Sequence, residues 1–134
     1  MNYIFAFILM SSCFYLSSCS SQQEIVTSYP FLNESESSDT VVTILFSDEH
    51  NHRKEHNYYD ALIDAQQKYP NKISNVNIVP EAERELIDYY EVDSYPTLIL
   101  IKDMDVKLRI EGIQEYSSIS SKLEVILQDK QEAS

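Results

Sequence analysis

Residues 41–46 read Val-Val-Thr-Ile-Leu-Phe, a run of β-branched and large apolar side chains with no polar alternation. A strand with one wet face alternates, so a run of this kind is covered on both faces. In a single chain that means a central strand with helices on two sides. The segments that follow supply those layers. Tyr58, Leu62, Ala65 and Tyr69 recur at steps of four, three and four, which predicts a helix over about residues 53–69 that stops at Pro70. Ile73, Val76 and Ile78, with Asn75 and Asn77 facing away, predict a second strand bounded by Pro80. Pro80 is read as the first residue of a short helix over 81–90. Thr97-Leu98-Ile99-Leu100-Ile101 is another buried strand, 102–105 a polar turn, and Val106-Lys107-Leu108-Arg109-Ile110 an alternating strand. After Gly112, Ile119, Leu123, Ile126 and Leu127 line one side of a closing helix over 118–128. The chain is therefore α/β, with a central mixed sheet flanked by helices in one domain.

Composition removes several classes of function. The chain has one glycine in 134 residues, and phosphate-cradling loops need several positions without a Cβ, so nucleotide-binding folds of that kind are excluded. Its formal charge is −12, from 22 Asp+Glu against 10 Lys+Arg. Nucleic-acid binders draw affinity from cations that displace counterions, so no nucleic-acid partner is expected.

The two cysteines, Cys13 and Cys19, both lie near the N-terminus. Residues 1–16 carry no charged side chain and concentrate Phe and Met, a length that suits a secretory apolar segment better than a membrane span. Leu16-Ser17-Ser18-Cys19 follows and resembles the bacterial lipobox, although the segment lacks the usual Lys or Arg at its start. The resemblance implies lipid attachment at Cys19, cleavage after Ser18 and acylation of the new amino terminus. Two or more acyl chains suffice for stable membrane anchoring. The expected organisation is a signal peptide over 1–18, a lipidated Cys19 with a polar tether over 19–40, and a folded domain over 41–134. The tether carries one apolar interruption, read as a short edge element at 25–27 or at 31–32. Processing would remove Cys13 and consume Cys19, leaving no free thiol.

The order β-α-β-α, then a hairpin and a last helix, resembles the thioredoxin core. Tyr90-Glu91-Val92-Asp93-Ser94-Tyr95-Pro96-Thr97 is similar to that family's Y-x-V-x-x-x-P-T stretch, where the proline is cis, and residues 106–112 resemble its edge strand and following glycine. The family's chemistry needs Cys-x-x-Cys at the start of the first core helix, where the backbone dipoles favour a thiolate. The corresponding loop here reads Ser47-Asp48-Glu49-His50-Asn51-His52-Arg53-Lys54-Glu55-His56 and holds no cysteine. Counting forward from Phe46 puts the missing pair near Asn51 and Lys54. Counting back from Tyr69 puts it near His52 and Glu55. The buried acid of the family's first core strand falls on Leu45. Thiol–disulfide exchange is excluded by that route, and the fold implies descent rather than activity.

Two surfaces remain as candidates. The cis-proline loop Tyr95, Pro96, Thr97 resembles a site where family members pair backbone groups with an extended peptide, which needs no cysteine; Tyr89 and Tyr90 lie close in sequence. The cluster His50, His52 and His56 places two imidazoles at i, i+4 on a helix, a spacing that zinc-binding helices use. The expectation is a membrane-anchored extracytoplasmic lipoprotein with a redox-inactive thioredoxin-like domain. It acts as a binding or accessory module in the cell envelope, needs no cofactor, and has other envelope proteins or wall components as partners. The alternative is an extracytoplasmic metal-binding protein that takes zinc or copper at the histidines.

Overall fold

The computed structural model describes residues 20–34 and 39–128, so the lipobox-like segment and Cys19 lie outside the described residues. The chain divides after Pro30. The described part of the first unit is mainly helix α1, Ser20–Ser28. Among the described residues, no helix is long and apolar enough to cross a membrane.

The second unit, Phe31–Ser134, is built on a four-stranded sheet in the order β2-β1-β3-β4. Strand β1, Val41–Ser47, is buried at all seven positions, as its unbroken apolar run requires of a central strand. It pairs in parallel with β2, Ile73–Pro80, and antiparallel with β3, Thr97–Lys102. A parallel pair needs a crossover. Helix α2, His56–Lys68, provides it, entered through a 3-10 turn at His52–Glu55. Helix α3, Arg84–Tyr89, joins β2 to β3, and β4, Asp105–Glu111, completes a hairpin with β3. Helix α4, Tyr116–Leu127, closes the chain.

One face of the sheet presents Val41, Leu45, Leu98, Leu100 and Ile110 to Tyr58, Ala61 and Leu62 of α2 and to Ile119, Leu123 and Leu127 of α4. Helices α2 and α4 run in the same direction, since Tyr116 Oη donates to Asp64, Lys68 bonds Glu124, and Gln128 donates to Tyr69 Oη. Residues of opposite parity in β1 point to the other face, where Phe46 meets the Tyr90 ring edge to face at 6.1 Å. Tyr90 follows α3, so both sides of β1 are covered.

Four sequence expectations are corrected. Residues 25–27 are helical, and 31–32 lie in a 3-10 turn, Pro30–Asn33, where Leu32 is buried. Neither segment pairs with the sheet, and a helix satisfies its backbone groups internally where an unpaired strand would not. Ile78 is 54% exposed. It does share a face with Ile73 and Val76, because an extra residue in β2 sets Ile73 opposite Val41 and Val76 opposite Thr43. It lies outside the apolar cluster that α2 and α4 cover, and Val79 is the buried residue instead. Pro80 ends β2 opposite Ser47 and does not start a helix. An edge strand tolerates a residue without an N–H, and the chain then turns through the Glu83 N–H to Pro80 carbonyl bond before α3 begins. The helix read from residue 53 opens with 3-10 geometry and becomes α-helical only at His56.

Candidate functional site

The register Phe46↔Thr97 brings the end of β1 and the start of β3 side by side. The loop after Ser47 and the loop before Thr97 therefore meet at one end of the sheet. Both candidate surfaces fall here.

The Tyr95–Pro96 peptide is cis. Pro96 is buried, and its carbonyl accepts the Gly112 N–H at 2.8 Å. Thr97 is fully buried, and its hydroxyl donates to the Ser94 carbonyl at 2.7 Å. Of the three residues only Tyr95 keeps a partly open side chain. Partial burial raises its phenol above the ordinary tyrosine range, and the carboxylates of Glu81, Asp48 and Asp88 add to the shift against Arg84. Tyr89 and Tyr90 stack edge to face at 4.9 Å. Tyr90 is tied further by Arg109, which donates to its carbonyl, and burial pushes its phenol upward. Tyr90 is held by these contacts, whereas Tyr95, like Tyr89, keeps a partly open side chain.

The neighbouring loop is centred on a residue that no sequence motif marks. Glu55 is fully buried. Its carboxylate accepts the Ser47 hydroxyl at 2.9 Å, the Asp48 backbone N–H at 2.8 Å and the Tyr59 hydroxyl at 3.0 Å. A buried charge is tolerated only when donors replace its water, and here the donors come from β1, the loop and α2. One signal was available. Glu55 lies three residues before Tyr58 and seven before Leu62, on the face that α2 buries, so it is a charge written into an apolar stripe. It also sits at one of the positions that counting assigned to the missing cysteines.

The histidines are engaged separately. The His50 backbone N–H bonds the Asp48 carboxylate at 2.9 Å. His52 Nδ1 lies 3.6 Å from Glu55 Oε2 with its ring largely open, and His56 Nε2 lies 3.1 Å from Asp60 Oδ2 on the outer surface of α2. Among the described residues, no group of three or more His, Cys, Asp or Glu side chains is arranged to hold a metal ion.

Against known structures the fold is thioredoxin-like. Thioredoxin-2, described as a component of the malaria parasite protein secretion machinery, superposes with a TM-score of 0.53 at 20% identity, over 64% of this chain and 82% of that one. A malarial protein gives 0.53 at 18% identity over 64% and 96%, and a designed protein gives 0.60 at 18% over 76% and 89%. At such identities the likeness speaks for the fold alone. No family model matches the chain. Among curated proteins, a Pal-related lipoprotein of Bacillus subtilis (strain 168) is 31% identical over 85 residues, which is 63% of this chain. The match spans 66% of that relative, just under two thirds of its length.

Proposed function

We propose that this chain is an envelope lipoprotein, anchored through lipid on Cys19, whose thioredoxin-like domain serves as a protein-binding or accessory module and not as a redox enzyme. The observation that carries the reading is the end of the sheet itself. Where the fold's dithiol chemistry would sit, a sealed carboxylate stands, and beside it the cis-proline loop leaves Tyr95 accessible. A tyrosine supplies contact area at low conformational cost, and backbone groups beside a cis-proline suit pairing with an extended segment of another protein. The likeness to a Pal-related lipoprotein supports the anchored, envelope part of the reading. On this reading the domain turns over no disulfide and needs no cofactor, and its partners are envelope proteins or wall components at the extracytoplasmic face.

Two measurements test it. Expressed in a bacterium, the wild-type chain is expected to take up labelled palmitate and sediment with membranes, and Cys19→Ala to do neither; an unchanged variant defeats the lipoprotein reading. Capture from detergent-solubilised envelope is expected to recover a defined partner that Tyr95→Ala loses by tenfold or more. Retention of that partner by the variant defeats the docking reading.

A further inference from the structure

We infer that Glu55 is a positioning residue, a buried carboxylate latch that fixes the 48–52 loop beside Tyr95. The latch is a claim about the fold alone, and its relevance to docking rests on the Tyr95 reading above. The Glu55 side chain has no exposed surface, and its hydrogen-bonding partners lie on two stretches of chain, the adjacent pair Ser47 and Asp48 and, on α2, Tyr59. Ser47 is the last residue of β1, Asp48 opens the loop, and Tyr59 lies one turn further along α2. Placement at the entry to α2 also sets the negative charge at the favourable end of the helix dipole. Among the described residues no Lys or Arg pairs with this carboxylate; the group nearest to it that can carry a positive charge is His52, at 3.6 Å.

Such an arrangement holds the loop shut because opening it strands the charge. Hydrogen bonds to a charged group are stronger than those between neutral groups, and a buried carboxylate left short of donors is strongly unfavourable. Asp48 in turn orders the loop that follows it. Its carboxylate accepts the His50 N–H, and its carbonyl accepts the Asn51 N–H at 2.9 Å. Glu55 therefore sets the backbone of Asp48, Asp48 organises residues 49–51, and the register of β1 with β3 places this turn next to the Tyr95 loop. The dithiol position of the fold has become a clamp, and its product is a rigid rim.

Amide hydrogen exchange and NMR on the full chain in detergent micelles test the latch. In Glu55→Ala, exchange at the Asp48, His50 and Asn51 amides is expected to rise about tenfold or more beyond any change at the core amides of Ile44 and Ile99. The Tyr95 ring resonances are expected to shift with it. Glu55→Gln keeps a carbonyl acceptor for the Asp48 N–H but not the charge, and is expected to recover part, not all, of the loop protection and of the Tyr95 ring position. If Glu55→Ala does not fold, Tyr59→Phe and Ser47→Ala each remove one donor, and a rise of roughly threefold at the same three amides is expected. Loop exchange that only tracks the core in the folded variants overturns the latch, as does a Tyr95 ring that stays put while the loop opens. Failure of the docking reading is separate: Tyr95→Ala would retain the envelope partner while the loop exchange pattern still held.

Discussion

Thr43 carries the one buried side-chain oxygen that lacks a hydrogen-bond partner among the described residues. It sits in the middle of β1 with no exposed surface, in a strand where every neighbour is apolar or satisfied. Desolvating a hydroxyl without a replacement bond costs about 1–3 kcal/mol by protein standards, and valine has nearly the same shape. Thr43→Val is therefore expected to stabilise the domain by about 1 kcal/mol, read as a raised denaturant midpoint at unchanged slope. Tyr58 is the opposite case. Its hydroxyl is buried and satisfied, donating to the Gly112 carbonyl at 2.6 Å, which ties α2 to the end of β4. Burial pushes this phenol up to about 12, with Glu111 adding to the shift. The unfolded chain would ionise near the ordinary value of about 10, so it releases the proton first as pH rises. Stability tied to Tyr58 is full below about pH 10 and is lost progressively towards about pH 12. Tyr58→Phe is expected to cost about 1 kcal/mol at neutral pH through the lost bond, yet to show a shallower alkaline decline than wild type.

At the scale of elements, the informative features are where a helix or hairpin ends without glycine. Helix α3 closes in a Schellman arrangement: the Val92 N–H bonds the Ile87 carbonyl at 2.9 Å and the Glu91 N–H bonds the Asp88 carbonyl at 3.2 Å. Buried Ile87 and Val92 stand at the two positions that make this motif's apolar contact. The residue that must turn left-handed is Glu91, at φ +52°, where a Cβ is unfavourable by about 1–2 kcal/mol. Glu91→Gly relieves that strain but loosens the unfolded chain, so a net gain of about 0.5–1 kcal/mol is expected in chemical denaturation. The β3–β4 hairpin turns through Asp103 and Met104, also both at positive φ, as its two-residue turn requires. Gly112 takes φ +72°, and the space a Cβ would occupy there has no other atom within 4 Å, so Gly112→Ala meets conformational strain without a clash. It is expected to cost about 1 kcal/mol while the Pro96 and Tyr58 bonds to this residue persist, visible as an unchanged Tyr58 ring environment.

For the whole molecule, the charge of −12 is the dominant long-range term. The few ion pairs described are mostly at the surface: Asp39 with Lys72 and Lys102, Lys68 with Glu124, and Arg109 with Glu111. Exposed pairs contribute little each, whereas excess like charge weakens the compact state. Added sodium chloride is expected to raise the melting temperature between about 10 and 150 mM, as the screening length falls from about 30 to 8 Å. A decrease would mean that the ion pairs outweigh the repulsion.

Most of the architecture was readable in the chain because periodicity reports burial directly. The unbroken run at 41–46, the 58, 62, 65 spacing and the alternation at 106–110 each mark how many faces an element hides. The missing dithiol is equally plain from the residues, since no cysteine follows Cys19. What the chain alone left open depends on contacts between segments far apart in sequence. Residues 25–27 satisfy their backbone groups within a helix, which their few apolar side chains do not distinguish from a strand. The fate of Ile78 turns on how far the covering helices reach along an edge strand. Glu55 shows in the sequence only as a charge in line with an apolar stripe, and it is the centre of the site because the fold gathers Ser47, Asp48 and Tyr59 around it. A single sequence states which side chains avoid water, but the donors that let a charge join them are brought together only by the tertiary fold.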